Sequence, residues 1–184
     1  MKTEEAAELL AKARRVLVIG SPGSGKSTLS QVLARQFDLP YILMDRAFFW
    51  LPGWRMRPRE EIRTLIEDAI SADRWLIDGT GLNTLELRLT RANLVIWLRL
   101  PRRVCMWRLL RRWLQFHGRT RPDMADDCPE RVDLRFLRYV WTFDRDLVPQ
   151  IEHKLAAPGV TRNVIHLTTQ DEIDALLAEI TVSV

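Results

Sequence analysis

The feature that most constrains this chain is a glycine-rich segment between an apolar run and a helical pattern. The segment reads Gly20-Ser21-Pro22-Gly23-Ser24-Gly25-Lys26-Ser27-Thr28 and matches GxxxxGK[ST] at every fixed position. Its glycines let successive backbone N–H groups point at phosphate oxygens, and the N-terminus of the following helix adds positive potential. We therefore predict that all nine residues of this loop bind a nucleoside triphosphate.

The acids near this loop decide what happens to the nucleotide. Lys26 is expected to reach the β- and γ-phosphates, and the Ser27 hydroxyl to bind Mg²⁺. Asp78 ends the apolar run Trp75–Ile77 and is followed by glycine, so no adjacent glutamate is available to activate water. We predict that Asp78 binds the Mg²⁺ ion or its water; the alternative is a carboxylate that caps a turn.

A second carboxylate, Asp45, follows the apolar run Tyr41–Met44. In open α/β sheets the carboxyl ends of the strands form the ligand crevice, so we predict that Asp45 holds or deprotonates an acceptor hydroxyl. The alternative is a solvated turn residue. Residues 48–54 are rich in aromatic side chains, and we predict a mixture of core and pocket wall that stacks on a base or shields an acceptor. The arginines of 55–59 are candidates to meet a phosphate on that acceptor.

Apolar runs alternate with helical patterns along the chain. We predict strands at Arg15–Ile19, Tyr41–Met44, Trp75–Ile77, Leu94–Leu98 and Asn163–Leu167. We predict helices near Thr3–Ala13, Lys26–Gln36, Arg59–Ser71, Thr84–Arg91, Arg102–Phe116, Pro129–Leu147 and Asp171–Ile180, with Thr169 as a cap of the last. Strands separated by helices imply a parallel sheet with helices on both faces.

The expected fold class is therefore α/β, a three-layer P-loop NTPase fold with about five parallel strands. Residues 1–184 are expected to form a single domain, with a core at 14–117 and 148–184. The proline- and glycine-containing segment at about 118–128 is expected to be a small arginine-rich lid.

The net charge of +4 conceals a strongly basic stretch. Arg99–Pro122 contains eight arginines and no acid, so the rest of the chain sums to −4. Such a stretch suits an anionic partner, either a phosphorylated small molecule or a nucleic acid. The alternative is a compositional bias, because the chain has 24 Arg and 4 Lys.

Composition narrows the class of protein. Hydrophobic residues make up 47% of the chain, which is typical of a globular domain. No apolar run approaches the roughly 18 residues that a membrane span needs, and the charged N-terminus does not resemble a secretory signal. Two cysteines form no disulfide framework or zinc site. We expect a cytoplasmic protein without a membrane partner, as a monomer or a dimer.

Taken together, these motifs resemble the nucleoside-monophosphate-kinase-like branch of P-loop kinases. Within that branch, segments 43–54, 75–89 and 118–124 are similar to FlaR-type topology modulation proteins, which are relatives of adenylate kinase. The resemblance implies that Arg108 lies beside the adenine and triphosphate and that Arg112 contacts a phosphate. It also implies that Arg119 and Arg121 lie in the lid, with Arg131, Arg135 and Arg138 on the helix that follows.

Three functions fit these observations. The leading one is Mg²⁺-dependent phosphoryl transfer from ATP to a nucleotide or small-molecule acceptor. A second is a nucleotide-dependent, DNA-associated regulator without kinase activity, suggested by the family label and a sequence pI near 9.5. Against it, no helix-turn-helix or zinc module is evident. A third is nucleotide binding without turnover.

Overall fold

The computed structural model describes residues 2–121, 124–130, 133–161 and 163–182. Its helices are α1 Thr3–Lys12, α2 Lys26–Gln36, α3 Arg59–Ser71, α4 Leu85–Leu89, α5 Arg102–Phe116, α6 Leu134–Asp146, α7 Val148–Leu155 and α8 Gln170–Val182. Its strands are β1 Arg15–Gly20, β2 Tyr41–Leu43, β3 Trp50–Leu51, β4 Arg55–Met56, β5 Trp75–Asp78, β6 Leu94–Leu98 and β7 Val164–Leu167. A π-helical turn at Asp45–Phe49 and a 3₁₀ turn at Leu82–Thr84 complete the described elements.

Five of the strands form one parallel sheet in the order β2-β5-β1-β6-β7. The central strand β1 leads into the glycine-rich loop, and its Val18 is in register with Asp78 of β5. On the other side, Gly20 is in register with Leu98 of β6. Strands β3 and β4 form a separate antiparallel hairpin. The parallel register therefore brings the end of β5 to the start of the loop.

Alternate residues of the central strand serve two cores. Val16 and Val18 pack in a cluster with apolar residues of α1, α2, α5 and α8. Leu17 and Ile19 pack in a second cluster with residues of α3, α4 and α7. All four side chains are fully buried, as expected for a strand covered on both faces. The structure thus confirms a three-layer α/β fold with five parallel strands.

Most of the predicted elements lie where their patterns placed them, but one helix begins later. Helix α6 begins at Leu134, not near Pro129, because the Asp133 carboxylate caps it by accepting a hydrogen bond of 2.8 Å from the Arg135 amide. Pro129 instead forms a bridge with Thr120. The predicted cap of α8 is confirmed, because the Glu172 amide donates a hydrogen bond of 3.2 Å to the Thr169 hydroxyl. None of the described helices combines the length and the apolar character needed to cross a bilayer.

Candidate active site

The glycine-rich loop connects β1 to α2 and is packed against α5. Gly23 has φ of +80°, and a Cβ there would lie 2.5 Å from the carbonyl oxygen of Cys105 in α5. Only glycine tolerates both conditions. Within the loop, Lys26 Nζ donates a hydrogen bond of 2.9 Å to the carbonyl of Ser21. Arg108 Nη1 donates one of 3.2 Å to the carbonyl of Ser24, so α5 supports the loop from outside.

A cleft of about 760 Å³ lies over this loop at the carboxyl edge of the sheet. It brings together most of the side chains that the sequence predicted for the site. Those that line it are Gly20, Pro22, Gly23, Gly25, Lys26, Ser27, Thr28, Asp45, Asp78, Arg112 and Arg121. Ser21 and Ser24 belong to the same loop but are buried behind its surface.

Two carboxylates and one ammonium form the charged centre of the cleft. Asp78 is 2% exposed and accepts a hydrogen bond of 3.1 Å from the Tyr41 hydroxyl. Asp45 lies at the start of the π-helical turn and lines the cleft. Burial lowers the pKa of Lys26, and the charges of Asp78 and Asp45 partly restore it. Loss of solvent within the crowded cleft raises the pKa of Asp45, against the opposing effect of Lys26.

The oxygen donors of the cleft fit a magnesium ion that arrives with a triphosphate. The Ser27 hydroxyl and the Asp78 carboxylate both line it. Within the described ranges, no group of three or more His, Cys, Asp or Glu side chains could hold a metal by itself. Mg²⁺ usually binds through one or two carboxylates and substrate phosphates and keeps several waters. This donor set therefore suits Mg²⁺ bound jointly by protein and nucleotide.

Two of the predicted arginines share one buried carboxylate. Arg112 Nη2 lies 2.8 Å from Glu130 Oε1, and Arg121 Nε lies 2.7 Å from Glu130 Oε2. Glu130 is 7% exposed and lines the same cleft. Glu130 was not among the predicted site residues, because a position near the start of the helix predicted from Pro129 carries no signal of burial. Glu130 thus connects α5 to the loop that carries Arg121.

The aromatic segment divides between core and cleft. Phe48 is buried in the core, whereas Phe49, Trp50 and Trp54 line the cleft. The rings of Trp50 and Trp54 meet edge to face, with centroids 5.2 Å apart. Trp54 Nε1 also donates a hydrogen bond of 3.1 Å to the carbonyl of Pro129. The β3–β4 hairpin, which we call the flap, is therefore attached to the segment that carries Glu130.

The chain resembles known proteins in its fold but not in its sequence. No protein-family model matches the chain, and no curated protein matches it. Solved structures do match. A shikimate kinase from Acinetobacter baumannii in complex with shikimate superposes with a TM-score of 0.60 at 11% identity, over 96% of each chain. The shikimate kinase from Bacteroides thetaiotaomicron gives a TM-score of 0.55 at 14% identity, over 93% of this chain and 98% of its own.

The chain has the fold of a P-loop kinase. The predicted fold class is therefore confirmed. At 11% and 14% identity, the likeness shows the fold alone.

The predicted lid arginines occupy different environments. Arg121 lines the cleft, whereas the side chain of Arg119 is exposed and does not line it. The reason is local pairing: the Glu130 amide donates to the carbonyl of Arg119, which fixes the backbone there. The structure therefore does not bring Arg119 into the site with Arg121. Arg131 and residues 122–123 lie outside the described residues.

A further positioning residue, Arg88, holds the loop that follows β5. Arg88 is fully buried and donates hydrogen bonds to the carbonyls of Thr80 (2.6 Å) and Gly81 (3.1 Å). Burial lowers its pKa to about 9. Thr80 Oγ1 in turn donates to the carbonyl of Gly20 at 2.8 Å, which connects this loop to the glycine-rich loop. No sequence signal identified Arg88, because an arginine in a short helix normally faces solvent.

Proposed function

We propose that the chain is a Mg²⁺-dependent phosphotransferase that moves the γ-phosphoryl group of ATP to a hydroxyl of a small molecule. One observation carries this proposal: Asp45 lines the same cleft as Lys26 of the phosphate-binding loop. A site built only to bind or hydrolyse a nucleotide needs no second carboxylate there, whereas an acceptor hydroxyl needs a proton acceptor.

Each group then has a defined part. Lys26 and the loop amides would bind the triphosphate, and Arg108 would lie beside the adenine. Magnesium, held by Ser27 and Asp78, would neutralise phosphate charge. Asp45 would accept the proton of the attacking hydroxyl. Arg112 and Arg121 would stabilise charge on the transferred group; Arg119, which the structure leaves outside the cleft, is not part of this proposal.

The architecture around these groups suits a closing site. We infer that residues 118–128 act as a lid on a single domain, because Met124, Ala125 and Cys128 pack against Trp50 and Trp54 of the flap. A flap and lid that move as one would exclude water from the transfer. The finer assignment to FlaR-type topology modulation proteins, like the cytoplasmic location, stays a prediction from the sequence.

The DNA-associated alternative is disfavoured by where the basic stretch directs its arginines. Arg112 and Arg121 are paired with Glu130, and Arg108 contacts the phosphate-binding loop. The guanidinium carbon of Arg102 lies 4.3 Å from the ring centroid of Trp141, and that of Arg99 lies 5.0 Å from the ring centroid of Trp97. Five of the eight arginines thus have intramolecular contacts. A nucleic-acid surface instead presents its cations to solvent.

The proposal is tested by binding and turnover of a Lys26→Ala variant. We expect Mg·ATP to bind the wild-type chain and acceptor-dependent ADP release to fall at least ~10²-fold in the variant, as for loss of one charge-stabilising donor. Lys12→Ala is the matched control, since Lys12 is exposed on α1 and away from the cleft. Equal turnover in Lys26→Ala and wild type would refute the assignment of the loop.

A further inference from the structure

The part of the cleft beyond the phosphate-binding loop is walled by aromatic and apolar side chains. Phe49, Trp50 and Trp54 come from the flap and its preceding turn, and Phe136 and Tyr139 come from α6. Met56 and Met124 also line this region. Flat, polarisable surfaces of this kind favour a ring that can stack, over a polyhydroxylated aliphatic body that needs many hydrogen-bond partners.

The charges in this region oppose a second anion. Among the described residues that line the cleft, the cations outside the phosphate-binding loop are Arg112 and Arg121, and Glu130 pairs with both of them. The nearby charges of Asp45 and Asp133 are also negative. A phosphate or carboxylate on the acceptor would therefore compete with the transferred phosphoryl group for these two arginines, and would also face the charges of Asp45 and Asp133.

The arginines that follow the flap do not change this balance, which corrects the expectation that they meet an acceptor phosphate. Arg57 is paired with Glu61 on α3, and Arg55 Nε donates to the carbonyl of Pro52 at 3.2 Å. Neither Arg55, Arg57 nor Arg59 lines the cleft.

We infer that the acceptor is an aromatic alcohol, a hydroxyl compound with a stacking ring and no phosphate or carboxylate group of its own. This inference rests on the proposed function and names its substrate class. The ring lies against Trp50 and the other aromatic residues, and the hydroxyl points to Asp45.

The chemical step balances without a further reactant. The acceptor oxygen forms a bond to the γ-phosphorus as the bond from that phosphorus to the β–γ bridging oxygen breaks. ADP leaves with the bond electrons, and the hydroxyl proton passes to the Asp45 carboxylate and then to water. The products are a phosphate monoester, ADP and one proton.

The test is ADP release from Mg·ATP with matched acceptors, each pair differing in one anionic group. We would compare thymidine with thymidine monophosphate, and benzyl alcohol with para-hydroxymethylbenzoate, with shikimate as an anionic non-aromatic acceptor. The uncharged member of at least one pair is expected to stimulate ADP release at least tenfold more than its anionic partner. Trp50→Leu should raise the KM of that acceptor about tenfold and leave the KM of ATP unchanged, as loss of a stacking surface predicts.

Trp107→Leu is the matched control, because Trp107 is 62% exposed on α5 and does not line the cleft. A preference for an anionic or non-aromatic acceptor would overturn the inference and leave the proposed function standing. Lys26-dependent ATP binding without stimulation by either uncharged aromatic alcohol would also overturn it. Failure of the proposed function is distinct, since no acceptor, uncharged or anionic, would then stimulate ADP release and Lys26→Ala would not lower it.

Discussion

The Nε atom of Arg121 lies 2.7 Å from Oε2 of Glu130, although the two residues come from opposite ends of the loop that precedes α6. The other oxygen of Glu130 is 2.8 Å from Arg112 of α5. One buried carboxylate therefore orients two arginines over the phosphate-binding loop. Because it also offsets part of their charge, Glu130 influences both the stability of this region and what the cleft can bind.

Replacing Glu130 with Gln should reduce both stability and turnover. The amide keeps the shape but leaves two guanidinium groups without a buried counter-charge, so we expect the free energy of unfolding to fall by about 1–3 kcal/mol. Glu67→Gln is the control, since the exposed Arg63–Glu67 pair on α3 should contribute less than about 1 kcal/mol. Denaturant unfolding measures both variants. Equal stability losses would contradict a special role for Glu130.

The two lid arginines should differ in their effect on catalysis. Arg121→Ala is expected to lower kcat by up to ~10³-fold with little change in ATP affinity, as for an arginine that stabilises the transferred phosphate. Arg119→Ala should change kcat less than about threefold, because its side chain is exposed and outside the cleft. Steady-state kinetics of the two variants tests this difference. A comparable loss in both would place Arg119 in the site after all.

Asp78 and Asp45 should be separable by their metal dependence. Asp78→Asn is expected to raise the Mg²⁺ concentration needed for half-maximal rate at least fivefold, because a carboxylate near the metal becomes neutral. Asp45→Asn should leave the affinity for Mg·ATP within about twofold of wild type. Magnesium titrations with both variants measure this. The same shift in both variants would show that the two carboxylates do not have separate functions.

The pH range over which kcat/KM stays near its maximum should be narrower than an aspartate and a lysine with ordinary pKa values would give. Asp45 must be ionised to accept a proton, so the rate falls as pH drops through a pKa that lies above the usual 3.8. Lys26 must be protonated to bind phosphate, so the rate falls as pH rises through a pKa below 10.5. An acid limb at or below 3.8 in a pH–rate profile would contradict the assignment of Asp45.

The fold was predictable because its signals are local. The run Leu94–Leu98 is apolar at every position and bounded by the polar residues Asn93 and Arg99, and the strand has the same limits. Helix α3 places Ile62, Ile66 and Ile70 on one buried face, a spacing visible in the sequence. The predicted start of α6 was wrong because the helical spacing of apolar residues continues upstream of the Asp133 cap. In the structure, residues 129 and 130 form bridges with residues 120 and 117.

The site residues were predictable only where a single sequence segment contains a recognisable motif. The loop at Gly20–Thr28 and the strand-end position of Asp78 follow from sequence motifs. Glu130 and Arg88 do not, because their role depends on partners far along the chain or on burial that the sequence does not indicate. Tyr139 is a similar case: desolvation and then the charge of Asp45 raise its pKa to about 12, an effect of tertiary packing.

The central claim, phosphoryl transfer to an acceptor at Asp45, is tested most directly by the rate of ADP release with and without an acceptor. In the wild-type protein we predict slow release with ATP and Mg²⁺ alone, and at least a tenfold increase when an accepted alcohol is added. In Asp45→Asn the slow release should persist, and the increase should be lost. Acceptor-free hydrolysis as fast as any transfer, or full stimulation in Asp45→Asn, would contradict the account.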